Sequence, residues 1–524
     1  MLFLWDLGNP DAPRQGTEGF YLQISKEMFL NNSFLTPLYH GSPHWSKPPL
    51  HFWLPFPLYS LLGEGHFLFA ARFSIFLVFV ASTTYLSFWL KRYLGTSFIR
   101  GFTFFAATFG ILKYSRIFMM EIPLALITFS SLLLYFDYLS LKKKRYIIGA
   151  TILMGVSILI KGPVSLVMTF VSLGLYQIYL LYRKEKGIFY ETFKYLAGAF
   201  ILAAIWFIAC YLQHGQYFLD YFFLRENLGK FSAKSYPLRS VFQGLLLYGL
   251  PWTLFIPLFF KINYREFLNK KITMYLFFCF IVFFSIWLIP SQRSHHYALP
   301  SLPFFVILVF GLIFQNTDPK FQLTLKHYTR VINYLFLILV LFFIGLFSYA
   351  LFLDGVPSAA FFTFNLIFVL GLLTLGVYCL LKKRQNPEVL YFAYLLFFGA
   401  IYCVSLTSFL LPVVPNKVIS IVGDAPIGAI YRKPYFIAEA LNREITPLNE
   451  TTIIESLQHN DGYYILNERI YNKLKLAGET IVIYQWPVWQ RGNKVPEIFQ
   501  ALINKDLSPL KEYLFLIKKK SRVH

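Results

Sequence analysis

The sequence predicts a polytopic α-helical membrane protein, and three observations carry that expectation. Hydrophobic residues make up 57% of the 524-residue chain and charged residues only 14%, with a mean hydropathy of +0.54. A soluble domain carries about 25% charge, so one or more large water-soluble globules are excluded. The apolar residues recur in blocks of roughly 20, the length that crosses a bilayer as a helix. Basic residues gather at alternate junctions between blocks, the pattern that orients spans in a membrane.

About twelve such blocks are visible, starting near Phe69, Gly101, Glu121, Tyr146, Pro163, Tyr195, Ser240, Thr273, Ala298, Val331, Pro357 and Val389. With residues 5–68 placed outside, the inner junctions hold basic groups such as Lys91, Arg92 and Arg100, then Lys142, Lys143, Lys144 and Arg145, and later Lys382, Lys383 and Arg384. The short outer junctions are poorer, with Lys113, Arg116, Lys161, Arg225, Lys230, Lys234, Arg239 and Arg293. The net charge of +22 is therefore largely an orientation signal, and no nucleic-acid partner is expected. This topology puts the first segment and the C-terminal segment on the periplasmic side of an inner (plasma) membrane. It also predicts that a first helix, one of thirteen, precedes Met1.

Three parts follow. Residues 1–68 read as an outer loop with amphipathic helices, because Tyr21, Ile24, Met28 and Phe29 recur at helical spacing. Residues 69–412 form the membrane bundle. Residues 413–524 read as a small soluble α/β domain, with strands over 418–422, 463–466 and 480–484 and helices over 437–443, 468–476 and 496–504. Cys210, Cys279, Cys379 and Cys403 all fall in predicted spans, so neither a disulfide framework nor a CxxC metal site is expected. No Gly-rich phosphate loop is present.

The polar residues of the outer side cluster in short motifs: Thr17-Glu18-Gly19-Phe20-Tyr21, Ser46-Lys47-Pro48-Pro49-Leu50-His51, Met120-Glu121-Ile122-Pro123, Lys161-Gly162-Pro163, Arg225-Glu226 with Lys230, and Arg293-Ser294-His295-His296-Tyr297. Carboxylates can act as bases, and cations stabilise the charge that develops on a leaving phosphate. Charge at a membrane boundary is costly enough to point to function. Each residue also has a blander reading: Lys161 can snorkel, Glu121 can sit at a helix N-terminus, and Arg225–Glu226 can be a rim ion pair. His295 and His296 read as interfacial polar residues rather than metal ligands, since two adjacent histidines do not readily share one ion.

The order TEGFY, KEM, LTP, SKPPLHFW, MEIP, LIKGP, RENLGKF and SHHYALP resembles the polytopic GT-C glycosyltransferases, in particular the aminoarabinose transferases that modify lipid A and the protein mannosyltransferases. The resemblance covers residues 5 to about 300. It implies a GT-C fold of about thirteen spans, membrane-parallel helices in the first outer loop, and a polyprenyl-phosphate sugar donor used with inversion. It also implies catalytic roles for Glu18 and Glu121, with Tyr21, Lys47, Lys161, Glu226, Lys230, Arg293 and Tyr297 binding substrate. The family's acidic pair falls on Thr17 and Glu18, and its usual Arg falls on Phe20, with Asp6, Asp11 and Arg14 as nearby substitutes.

The expected reaction is therefore sugar transfer from an undecaprenyl-phosphate-like donor to a lipid, glycan or protein acceptor. A divalent metal held by the carboxylates is compatible with these motifs but not demanded by them. The alternative is a transporter or flippase of lipid-linked sugars, which should carry ionisable groups at mid-membrane in two related halves; neither feature is visible.

Overall fold

Seven helices are long and apolar enough to cross a membrane: Phe67–Leu94, Glu121–Leu141, Val164–Tyr182, Phe189–His214, Lys271–Leu288, His295–Phe314 and Pro319–Phe342. The computed structural model describes residues 2–12, 17–63, 65–226, 237–291, 293–354, 387–405, 411–430, 434–490 and 495–520. Each of these spans matches a block expected from the sequence. The block near Tyr146 is helix Lys144–Lys161, with cations at both ends. The block near Val389 is the shorter helix Pro387–Gly399 and its continuation Ala400–Ser405, and the block near Pro357 lies outside the described residues. Counting one bent pair as a span gives eight crossings among the described residues.

Two blocks expected as single helices are broken. The one near Gly101 divides into Phe98–Ala106 and Phe109–Tyr114, and the one near Ser240 into Arg239–Tyr248 and Trp252–Lys261, bent by 100°. A break frees backbone groups that lipid cannot satisfy. Here the two breaks satisfy each other. The Phe109 amide donates to the Leu250 carbonyl at 2.9 Å, and the Trp252 indole N–H donates to Thr108 Oγ1 at 3.0 Å. The Trp252 ring stacks on Phe104 with centroids 3.6 Å apart. Gly110 permits this approach, since a Cβ there would lie 2.5 Å from Tyr248 Cβ and 3.0 Å from its carbonyl oxygen.

Residues 17–63 form helices Glu18–Leu30, Leu50–Trp53 and Phe56–Leu62, all too short to cross a bilayer. Ser25 Oγ donates to the Phe52 carbonyl, tying the first two together. The Leu35 carbonyl accepts from the Trp206 indole at 2.9 Å, and Thr36 Oγ1 pairs with His214 Nε2 at 2.8 Å, so the segment is pinned to helix Phe189–His214. At the opposite end of the bundle Asp137 is fully buried, held by Arg92 at 2.6 Å and by the hydroxyls of Tyr85 and Tyr93.

The C-terminal segment forms a five-stranded sheet in the order Thr446–Pro447, Ile427–Ala429, Tyr463–Asn467, Lys511–Lys519, Thr480–Trp489, parallel across the first two pairings and antiparallel across the last two. Helices Tyr435–Leu441, Glu468–Lys473 and Val495–Ile503 lie where the sequence suggests. The expected strand over 418–422 is instead part of helix Asn416–Val422. Its β-branched run misleads, because burial of Val418 and Val422, one helical turn apart, decides the conformation. Helix Thr452–His459 and strand Lys511–Lys519 had no counterpart in the sequence reading. The segment meets the N-terminal part of the chain at two described points: Asp11 accepts from the Val413 amide at 2.7 Å, and Lys26 pairs with Glu439 at 2.9 Å.

Because the breaks interlock at Gly110, Gly110→Val should cost about 1–3 kcal/mol or more through overpacking. A lowered unfolding temperature of the detergent-solubilised protein checks this; an unchanged midpoint refutes it.

Candidate active site

The Lys-Gly-Pro motif shows how local sequence places a charge. Helix Lys144–Lys161 ends at Gly162, whose φ of +90° excludes side chains, and the Gly162 amide caps Ile158 at 2.8 Å. Pro163 then opens helix Val164–Tyr182. Lys161 is thus left in the last turn of its helix, where the carbonyl ends favour a cation. Across from it, Glu121 occupies the first turn of helix Glu121–Leu141, where the amide ends favour an anion.

The two meet. Lys161 Nζ lies 3.0 Å from Glu121 Oε1, and both groups are largely buried. The ammonium also sits over the rings of Trp287 and Tyr297, 5.1 and 5.4 Å from their centroids. His296 Nε2 approaches the same carboxylate oxygen at 3.5 Å. The other oxygen, Glu121 Oε2, is buried with no hydrogen-bond partner among the described residues. A desolvated carboxylate oxygen without a donor is a strong acceptor for an incoming hydroxyl.

Tyr21 joins this centre to a second group. Burial, with the negative charges of Glu121 and Glu226, pushes its phenol well above the ordinary range. Glu226, Lys47 and Arg225 all lie within electrostatic reach of His44. Burial pulls the His44 imidazole below its ordinary value, opposed by Glu226 and reinforced by Lys47 and Arg225. Tyr221 Oη pairs with His44 Nδ1 at 3.0 Å, and the Arg225 guanidinium lies over the Tyr221 ring. Arg225 therefore stacks on an aromatic face, with no ion pair to Glu226 among the described residues. Lys47 is buried and donates to the carbonyl of Ser46.

The remaining expected residues are placed differently. Glu18, expected beside Glu121 as a catalytic acid, is fully buried in a two-pronged pair with Arg72, at 2.8 and 3.1 Å, and accepts the Phe118 amide at 2.9 Å. Its oxygens are committed to the protein. Arg72 also donates to the carbonyls of Leu7 and Asn9. It supplies a cation beside Glu18 from another part of the chain, whereas the nearby substitutes do not: Asp6 accepts from Asn9, Asp11 accepts from Val413, and Arg14 lies outside the described residues. Arg293 turns back onto the Leu288 carbonyl at the end of helix Lys271–Leu288. Lys230 lies outside the described residues.

Arg72, His296 and His51 were missed. A lone arginine six residues into an apolar span was a legible signal for Arg72. His296 was visible only as a polar neighbour of Tyr297. His51 is fully buried, stacked on Phe118 at 4.2 Å, with neither ring nitrogen partnered among the described residues. Burial pulls its pKa down to about 3, with Glu121 opposing and Lys161 reinforcing the shift; it is neutral at physiological pH. The donor set does not suit a resident divalent metal, since no three His, Cys, Asp or Glu converge among the described residues and an ammonium already occupies Glu121.

Two outcomes follow from these placements. Removing one partner of a buried ion pair strands the other charge. Glu18→Gln should thus cost about 3–5 kcal/mol, and Glu18→Met with Arg72→Met should recover most of that loss in unfolding temperature; no recovery refutes the pairing argument. For His51, the lowered folded pKa means stability is complete above the unfolded value of about 6.5 and declines below it, by roughly 1.4 kcal/mol per pH unit. Unfolding midpoints at pH 7.5 and 5.5 should differ less in His51→Phe than in the parent.

The dolichyl-phosphate-mannose-protein mannosyltransferase family model matches residues 11–220. An uncharacterized protein of Aquifex aeolicus (strain VF5) is 29% identical over 238 residues, 44% of this chain and 46% of that one. The undecaprenyl phosphate-alpha-4-amino-4-deoxy-L-arabinose arabinosyl transferase of Wigglesworthia glossinidia brevipalpis is 26% identical over 311 residues, 56% of this chain and 52% of that one. The chain thus spans about half the length of the curated relatives it matches. The crystal structure of ArnT from Cupriavidus metallidurans bound to undecaprenyl phosphate superposes with a TM-score of 0.71 at 15% identity, over 92% of this chain and 94% of that one, a likeness of fold. Together with the multiple apolar helices, these likenesses show a multi-pass membrane protein with the GT-C fold, similar to the aminoarabinose transferases and, over residues 11–220, to the protein mannosyltransferases.

Proposed function

We propose that this protein transfers a sugar from a polyprenyl-phosphate donor to a lipid, glycan or protein acceptor, with inversion at the sugar carbon, on the periplasmic side of an inner membrane. The observation that carries the reading is Glu121: one oxygen is held by Lys161 while the other, buried and without a donor among the described residues, is left to accept a proton. Similarity to the mannosyltransferase family model and to the arabinosyl transferases supports the reaction class.

In this reading the acceptor hydroxyl attacks the anomeric carbon and gives its proton to Glu121 Oε2. The bond between that carbon and the phosphate oxygen breaks, its electron pair leaves with the phosphate, and cations stabilise the charge that develops there. Lys161 and Tyr297 serve this step from the first group, and Lys47, Tyr21 and Glu226 flank the approach. Lys230 and Arg293 retain the phosphate-binding roles implied by family resemblance. Glu18 is a positioning residue in this scheme, because its bond to the Phe118 amide fixes the turn that leads into Glu121. A phosphate acceptor needs no base, and Glu121 would then only orient it.

Glu121→Gln strands the Lys161 charge and should lower the unfolding midpoint; below that midpoint, where the variant is folded, it should lower transfer from a polyprenyl-phosphate sugar by about 100-fold or more. Product formation by the purified protein, followed by mass spectrometry, checks this. Undiminished turnover overturns the role of Glu121, and absence of transfer by the parent protein with any polyprenyl-phosphate sugar overturns the reading as a whole.

A further inference from the structure

Lys113 stands at the end of the short helix Phe109–Tyr114, directly after the first helix break. Its ammonium faces three tyrosine rings, those of Tyr114, Tyr248 and Tyr402, at 5.2, 5.5 and 5.9 Å from their centroids. These rings come from both broken helices and from the Ala400–Ser405 element, and the hydroxyls of Tyr114 and Tyr248 lie 3.0 Å apart. Charged groups within a membrane bundle mark ligand paths.

Two contrasts single out this lysine. Lys161 is neutralised by Glu121, whereas Lys113 has no carboxylate within ion-pair distance among the described residues. Tyr114 beside it is fully buried, but Lys113 keeps part of its surface open. A cation in apolar surroundings without a counter-ion is costly, and tyrosine faces offset only part of that cost. The cage also lies within electrostatic reach of the reacting centre. The charges of both Lys113 and Glu121 act on His296, and that of Glu121 acts on Tyr114 and Tyr248.

We infer that Lys113, in its cage of Tyr114, Tyr248 and Tyr402, binds the phosphate of the polyprenyl-phosphate ligand. The inference rests on the function proposed above and names a contact for its leaving group. The ammonium supplies the point charge, and the Tyr114–Tyr248 hydroxyl pair, which uses one of its two hydrogens internally, keeps the other as a neutral donor to a phosphate oxygen. The phosphate in turn supplies the anion that no described residue supplies. Lys161 can then remain with the carboxylate while Lys113 takes the negative charge as the sugar departs.

The test measures binding of undecaprenyl phosphate, undecaprenol and inorganic phosphate to the full chain in lipid nanodiscs, for the parent, K113Q and K113R. Unfolding midpoints verify that each variant is folded, and K113R keeps the charge if K113Q does not fold. Loss of a charge-assisted contact predicts undecaprenyl phosphate binding about 10- to 100-fold weaker in K113Q. K113R should retain most of the affinity, and undecaprenol should bind parent and K113Q alike. Equal binding of undecaprenyl phosphate by parent and K113Q overturns the inference while leaving the proposed function standing. An equal loss of undecaprenol binding in K113Q also overturns it, since the effect is then structural. Inorganic phosphate bound as tightly as the lipid overturns the lipid assignment. A parent that binds no undecaprenyl phosphate overturns both the inference and the function beneath it.

Discussion

The Glu18–Arg72 pair is the constraint on which the rest of the site depends. One carboxylate and one guanidinium, both withdrawn from solvent, connect four stretches of chain: the N-terminal turns through Leu7 and Asn9, the helix that begins at Glu18, the span carrying Arg72, and the Phe118 amide just before Glu121. Burying two charges is expensive, and the cost is offset only when nearly every donor and acceptor is used. That condition is met here, so the pair has little freedom of geometry. The Glu121 carboxylate inherits this rigidity, three residues beyond the amide that Glu18 holds.

Charge in the site is sorted by solvent access and by helix polarity. Glu121 begins a helix and Lys161 ends one, so each charge sits at the terminus that favours it before the two come into contact. Tyr297 and Trp287 cover the ammonium and keep the pair from solvent. Neutral groups fill the approaches, among them His51, which burial keeps uncharged, and Tyr21, whose phenol stays protonated. The result is a carboxylate with one satisfied oxygen and one that has no partner among the described residues.

Much of this was legible in the sequence, and the limits have physical causes. Hydropathy located the spans because lipid imposes one length and one composition on every crossing helix. Motif order placed Glu121, Lys161 and Tyr297, which the fold does bring together. Periodicity could not show the breaks after Ala106 and Tyr248, because their backbone groups are satisfied by each other across tertiary space rather than by neighbours in sequence. Glu18 looked like a second acid because its partner, Arg72, is 54 residues away and lies within an apolar run. In the C-terminal segment, the strand expected over 418–422 became a helix because burial of Val418 and Val422 outweighed β propensity.

The mutual service of the two breaks also bears on how the protein is built. Thr108 and Trp252 are 144 residues apart, so a chain synthesised from its N-terminus presents the first break well before the second exists. During that interval the Phe109 amide has no protein acceptor from the later break, and hydrocarbon offers none. The first broken segment must therefore remain near water or lipid headgroups until the later helices arrive. Its final depth is set by partners made long after it, and the bundle around Lys113 can close only as one of the last events of assembly.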